Sequence, residues 1–334
     1  MLVGLALTAI GGERTLVRGK NKIMTACVAK VRADLPNLDL TSSRTFSEEE
    51  VRYFRFYGLV LKGCVHHFGW RVVDGRRLAT HVYLPPTPRG TILVSHGYYD
   101  HAGAWRNVIP LLVAAGFRVV IYDQPGHGLS DGARATIGDF SEYVSVLTSF
   151  VALCRARFDG PLHLATHSMG GAVVVEYLLV SDPPPVDRVV LVAPLCRSSA
   201  WHVSRLGHRF AGSWVESVPR KYRANSSDKA FLKFVREDPL QPEVVPMQWV
   251  GALGVWNERV LTYKPLPKQT MLVIQGGKDG TVDAAYNDKL LQRKFPLARI
   301  VAVVGAGHQL FNETSAMRER ALKLMVEEFT REGE

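Results

Sequence analysis

The chain is predicted to fold as an α/β protein, with a mostly parallel central sheet, helices on both faces and an inserted helical segment. Three observations predict it. Short apolar runs of the kind buried on both faces of a parallel sheet recur at Thr91 to Ser95, Phe117 to Tyr122, Leu162 to Thr166, Arg188 to Val192, Met271 to Gln275 and Ile300 to Val304. Helical patterns fall between most of them, roughly at 103–115, 138–157, 171–181 and 283–294, and another at 313–331 closes the chain. Such alternation calls for right-handed β-α-β units, which place a site at the carboxyl ends of the strands. The third observation is one break in the alternation: roughly 75 residues separate the run ending near Pro194 from the one starting near Thr270, too many for a structureless loop.

Taken in order, residues 1–45 form an N-terminal extension, apolar from Met1 to Ile10 and then basic through Arg14, Arg18, Lys20, Lys22, Lys30 and Arg32. The apolar start is shorter than the ~20 residues a bilayer span needs and lacks the basic leader of a signal peptide. A helix is expected from Asn21 to Ala33, with Ile23, Ala26, Cys27 and Val31 as its apolar stripe. The extension either packs on the main domain or makes peripheral contact with a membrane surface. Asp74-Gly75, between Phe68 to Val73 and Leu78 to Leu84, marks a tight hairpin, and Pro85-Pro86-Thr87-Pro88 breaks the chain before the first parallel strand. The core then covers 46–195, is interrupted by an insert at 196–265, and resumes over 266–334. The insert holds Trp201, Phe210, Trp214, Phe231, Phe234, Trp249 and Trp256 beside Arg205, Arg209, Arg220, Lys221 and Arg223. It reads as a mainly helical cap, or lid, whose aromatic groups roof a pocket or form a small core of their own.

The 334 residues suffice for one large domain or two ordinary ones, and 47% hydrophobic with 22% charged residues is a globular balance. A net charge of +10 favours anionic surfaces such as phospholipid headgroups. The basic residues are scattered, with neither aromatic interleaving nor zinc-finger spacing, which argues against a nucleic-acid partner. Cys27, Cys64, Cys154 and Cys196 lie far apart with no C-x-x-C, so reduced thiols in a cytoplasmic setting are expected.

The chemistry centres on Thr166-His167-Ser168-Met169-Gly170-Gly171, a small-residue turn between an apolar run and a helix. In that context a sharp turn lifts a serine hydroxyl over the sheet edge, with helix N–H groups behind it. The pattern G-x-S-x-G is met except at its first position, where Thr166 stands. A serine nucleophile needs a base and a group that orients the base. Gly276-Gly277-Lys278-Asp279 and Gly305-Ala306-Gly307-His308 each follow a predicted strand, giving the chain order Ser168, Asp279, His308. Asp283 suits a helix cap better, and the strand that Asp123 ends precedes the serine. Oxyanion donors are expected from the Met169 N–H and from the loop after Ser95, where the Tyr98 N–H is assigned and His96 is read as structural.

Together, His96-Gly97-Tyr98, Tyr122-Asp123-Gln124-Pro125-Gly126-His127-Gly128-Leu129-Ser130, the Ser168 turn and the Asp279 and His308 loops resemble the α/β-hydrolase fold. Within it they are similar to the monoacylglycerol lipase and lysophospholipase branch, described as serine aminopeptidase-like. The resemblance runs from about Val65 to the C-terminus and is weak in the insert. It implies Ser168 as nucleophile, Asp279 and His308 as its partners, Tyr98 and Met169 as oxyanion donors, and the loop from Asp123 to Ser130 as a structural wall. It implies a serine ester hydrolase that needs no cofactor or metal and forms an acyl-enzyme on a monoacylglycerol or lysophospholipid. A peptidase or thioesterase of this fold, and a non-catalytic binding protein, are the alternatives. The branch carries glycine where this chain has Thr166.

Overall fold

A computed structural model of the chain describes residues 21–181, 184–211 and 214–331. The apolar run from Met1 to Ile10 and the basic positions Arg14, Arg18 and Lys20 lie outside the described residues. The described residues begin with α1 (Lys22–Asp34), capped by the Asn21 side chain, followed by α2 (Glu48–Tyr57), whose N-terminus is closed by a Ser47/Glu50 capping box. The buried stripe of α1 is Met24, Cys27, Val28 and Val31, whereas Ile23 is 70% exposed. Cys27 and Val31 are buried as expected, but the stripe is turned toward Met24 and Val28 and leaves Ile23 and Ala26 exposed; both sets keep helical spacing, and the packing of α1 decides between them.

The hairpin forms as expected from β1 (Val65–Val73) and β2 (Arg76–Leu84), with Asp74 and Gly75 both at positive φ, as its two-residue turn requires. Pro36 and Leu38 bond to the Trp70 backbone and cover the outer edge of β1. Gly69 permits this, since a Cβ there would lie 2.6 Å from the Leu38 backbone.

Then β3 (Gly90–Ser95), α3 (Ile109–Ala114), β4 (Phe117–Tyr122), α4 (Phe140–Arg157), β5 (Leu162–His167), α5 (Met169–Val180) and β6 (Arg188–Val192) alternate. Residues 196–265 contribute α6 (Trp201–Ala211), β7 (Ser217–Pro219), α7 (Lys229–Glu237), β8 (Val244–Pro246) and α8 (Met247–Thr262). The core closes with β9 (Met271–Gly276), α9 (Ala284–Lys294), β10 (Ala298–Val303) and α10 (Ser315–Thr330). The eight-stranded sheet has the order β1-β2-β4-β3-β5-β6-β9-β10, parallel from β4 to β10, and the fold class is therefore α/β.

Both faces of the sheet are buried. Ile92, Val94, Val119 and Ile121 enter one apolar core with α1, α2, α3 and α10, while Leu93, Val120 and Tyr122 enter the other with α4, α5 and α8. The last strand ends one residue earlier than expected, since Val304 is apolar yet 89% exposed. The regular structure of 196–265 is helical apart from a short β7–β8 ribbon, which the expectation of a mainly helical segment did not specify. Trp201, Phe231, Trp249 and Trp256 are buried, Trp214 is exposed, and the Phe210 side chain lies outside the described residues. No helix among the described residues is long and apolar enough to cross a membrane. The chain turns to opposite sides of β3 in forming β4 and β5, which opens a crevice above the carboxyl ends of β3 and β5.

Candidate active site

Ser168 occupies that crevice at the turn from β5 into α5. Its φ of +51° is a left-handed conformation that an L residue adopts only at a cost of about 1 kcal/mol, and it is held by backbone bonds. The Ser168 N–H donates to the Val192 carbonyl at 2.9 Å, and its own carbonyl accepts from Gly171 N–H at 2.8 Å and Leu195 N–H at 3.0 Å. Gly170 makes the turn possible, because a Cβ there would lie 2.0 Å from the Ser95 carbonyl oxygen.

Thr166 fits without displacing this turn. It is fully buried, and its Oγ1 lies 3.5 Å from where a Cβ on Gly171 would stand, so the second glycine of Gly170-Gly171 leaves the room the hydroxyl needs. Among the described residues that hydroxyl has no hydrogen-bond partner. A buried unsatisfied hydroxyl is destabilising. Thr166→Val is therefore expected to raise stability by about 1 kcal/mol in denaturant melts, with turnover of a nitrophenyl ester kept.

His308 Nε2 is 2.9 Å from Ser168 Oγ, and His308 Nδ1 is 2.8 Å from Asp279 Oδ2. The carboxylate accepts, so Nδ1 carries the proton and Nε2 is left to accept from the serine hydroxyl. Asp279 Oδ1 accepts from the Thr281 and Val282 N–H groups at 2.8 and 3.2 Å, and Gln275 Nε2 donates to Oδ2 at 3.2 Å. Burial works to raise the Asp279 pKa, but the bond to His308 and these backbone donors outweigh it and hold the carboxyl below its usual range. The loops that carry Asp279 and His308 touch at Gly276, where a Cβ would meet the Gly307 carbonyl at 2.2 Å. Asp283, the competing carboxylate, caps α9 through the Tyr286 N–H at 3.1 Å, and Asp123 accepts from Ala102 and Leu129 N–H groups within its own wall of loops.

Met169 is the first residue of α5, whose N–H has no partner within the helix. Tyr98 lies on the loop that Gly97 brings against Ser168, a Cβ on Gly97 being 3.2 Å from Ser168 Cβ. Among the described residues neither N–H has a protein acceptor. His96 donates from Nδ1 to the Gly97 carbonyl at 2.8 Å and accepts the Gln124 N–H at Nε2, also at 2.8 Å. Both ring nitrogens are thus engaged with backbone, and burial lowers its pKa.

A second buried pair was not anticipated. His167 Nδ1 lies 3.1 Å from Asp100 Oδ2, and His167 Nε2 lies 3.0 Å from the His308 carbonyl oxygen. Both partners can only accept, so both ring nitrogens must donate and His167 is an imidazolium. Burial alone would lower the His167 pKa, but the Asp100 bond and charge raise it. Burial likewise would raise Asp100, yet His167 holds it down at about 2. The signal available in the sequence was an aspartate on the Tyr98 loop and a histidine beside Ser168.

Among the described residues no group of three or more His, Cys, Asp or Glu is arranged to hold a metal. Residues 86–315 match the family model described as serine aminopeptidase, S33. The chain is 28% identical to a monoacylglycerol lipase of Mycolicibacterium smegmatis, over 72% of this chain and 89% of that one. It is 32% identical to the phospholipase YtpA of Bacillus subtilis, over 59% of this chain and 78% of that one. A soluble variant of monoglyceride lipase from Saccharomyces cerevisiae shares the fold with a TM-score of 0.65 at 18% identity, covering 77% of this chain and 92% of that one. The monoacylglycerol lipase of Paleococcus ferrophilus does so with a TM-score of 0.64 at 23% identity, covering 75% and 97%. The match spans most of the chain and includes every loop that meets at Ser168, and the chain belongs to the serine aminopeptidase S33 family of α/β-hydrolases.

Proposed function

We propose that this protein is a serine ester hydrolase that cleaves the acyl ester of a monoacyl lipid, a monoacylglycerol or a lysophospholipid, through an acyl-enzyme. The observation that carries the reading is the unbroken chain Ser168 Oγ, His308 Nε2, His308 Nδ1, Asp279 Oδ2 at the carboxyl edge of the sheet. In this reading His308 takes the hydroxyl proton as Ser168 Oγ attacks the ester carbonyl, and Asp279 stabilises the imidazolium that forms. The developing oxyanion is received by the Tyr98 and Met169 N–H groups, which are free of protein acceptors among the described residues. His308 then protonates the departing alcohol, and water repeats the sequence on the acyl-serine.

Lipid as substrate draws support from the lipases and the phospholipase among its relatives. The aromatic residues that the 196–265 segment brings to the Tyr98 loop add to it, with Trp249 stacked 3.7 Å from the Tyr98 ring. We read that segment as a cap over the core formed by 46–195 and 266–334, and residues 1–45 as an extension. The net charge of +10 supports peripheral contact with an anionic membrane surface.

The test is covalent labelling by a fluorophosphonate. One label per chain on Ser168, lost in Ser168→Ala, is the expected outcome. An unlabelled wild-type protein, or equal labelling of the variant, would sink the assignment.

A further inference from the structure

The inserted segment crosses the catalytic loops as a strap. Over residues 219–226, between β7 and α7, it touches all three loops in turn. Arg220 places its guanidinium carbon 3.9 Å from the ring centre of Tyr99, the residue after Tyr98. Arg223 Nη1 reaches the Gly280 carbonyl and Ser199 Oγ, both at 3.4 Å, beside Asp279. The Asn225 carbonyl accepts from the N–H of Gln309, the residue after His308, at 3.0 Å. Gly307 lets the strap lie this close, since a Cβ there would stand 2.8 Å from the Asn225 oxygen. The strap thus places one guanidinium on the loop that carries Tyr98 and one on the loop that carries Asp279.

Neither guanidinium has a carboxylate partner among the described residues. Arg220 Nη1 donates to the Gln241 side-chain carbonyl at 2.7 Å and to the Pro242 carbonyl at 3.2 Å, and the group also lies 4.5 Å from the Tyr222 ring centre. Arg223 bonds only to a carbonyl and a hydroxyl. Elsewhere in the chain Arg259, Arg44 and Arg77 are ion-paired, to Asp139 and Glu176, to Glu50 and to Asp131, while Arg134 and Arg71 bond to carbonyl and hydroxyl oxygens. Asp100, the carboxylate on the Tyr98 loop, is committed to His167. A half-buried guanidinium satisfied only by neutral acceptors keeps the capacity to bind an anion, and phosphate matches its donor geometry.

We propose that Arg220 and Arg223 receive the phosphate of the substrate headgroup, so that the ester cleaved at Ser168 is that of a lysophospholipid in preference to a neutral monoacylglycerol. This rests on the reading of Ser168 as the nucleophile and narrows its substrate class. In a 1-acylglycerol phosphate six bonds join the ester carbonyl carbon to phosphorus, about 7 Å when extended. A bound phosphate would therefore stand within that reach of Ser168, and Arg220 and Arg223 contact the loops that carry Tyr98 and Asp279. Hydrolysis breaks the acyl carbon to oxygen bond. Water supplies the hydroxyl of the fatty acid and the proton on the glycerol oxygen, and the phosphate ester is untouched.

The experiment compares kcat/KM on 1-lauroyl-glycerol-3-phosphate and on 1-lauroylglycerol, below their aggregation limits. It uses the full chain and its Arg220→Gln, Arg220→Lys and Arg223→Gln variants, with nitrophenyl butyrate as the reference ester. Wild type is expected to prefer the phosphate-bearing substrate. Each glutamine variant should reduce that preference ratio by ~10-fold or more, mainly through KM, and Arg220→Lys should retain part of it. Added salt should weaken the preference in wild type more than in the variants. A wild type indifferent to the phosphate overturns the proposal, as does a ratio that no substitution moves. Arg223 is exposed, so Arg223→Gln keeps the test open if Arg220→Gln fails to fold. A wild type inactive even on nitrophenyl butyrate would overturn the nucleophile reading itself, an outcome distinct from activity without phosphate preference.

Discussion

Asp279→Asn is expected to lower kcat on a short-chain nitrophenyl ester by ~10⁴-fold while leaving the protein folded. The reason lies in the donors around the carboxylate. Oδ1 accepts two backbone N–H groups, from Thr281 and Val282, so the oxygen of an asparagine amide must stay on that side. Its NH₂ then faces His308 Nδ1, where a donor already stands. The ring relieves the clash by moving its proton to Nε2, and the nitrogen 2.9 Å from Ser168 Oγ can no longer accept. Asparagine has nearly the shape of aspartate, so the loss is chemical and not architectural. Steady-state kinetics beside a denaturant melt separates the two. Activity within tenfold of wild type would mean that Asp279 does not set the His308 tautomer.

Asp100→Ala is expected to destabilise the chain by about 3–5 kcal/mol, because it leaves the His167 imidazolium buried without its counter-charge. The effect should depend on pH in a defined sense. The Asp100 carboxyl is held at about 2, below its unfolded value, so its contribution is present above pH ~4 and fades as pH falls toward 2. The His167 pKa is raised, so its contribution is complete below ~6.5 and fades as pH rises through the raised value. The stability difference between wild type and variant should therefore be greatest between about pH 4 and 6.5. Guanidinium melts of both proteins across that range are the measurement, and a difference independent of pH would rule out the ionised pair. Turnover should fall as well, since the His308 carbonyl loses a fixed donor.

Much of this architecture is legible in the sequence, because a two-faced parallel sheet writes its strands as apolar runs whose ends are easy to place. Phe117 to Tyr122 and Arg188 to Val192 are strands with those bounds, and the loops after β5, β9 and β10 hold the three side chains that hydrogen bond to one another. Periodicity fails where exposure and apolarity part company. Ile23 and Val304 are large, apolar and solvent-facing, and each departs from the expected pattern. The β7–β8 ribbon is three residues on each side, too short for an alternating pattern to register. The Asp100–His167 pair is 67 positions apart in the chain, and neither residue stands in a spacing that signals the other. Only the docking of the β3 loop against the β5 turn brings them together.

Asp238, in the insert after α7, is completely buried and accepts from Tyr57 Oη at 2.6 Å, from His101 Nε2 at 2.9 Å and from the Leu240 N–H at 2.9 Å. One carboxylate thereby joins the last residue of α2, the loop that carries Tyr98, and the inserted segment. Unfolding any one of the three strands this group in the interior with its partners missing, a penalty of several kcal/mol. Helix α2, the Tyr98 loop and the 196–265 segment are in consequence a single cooperative unit in energetic terms, and position 196 is not a line along which the molecule comes apart.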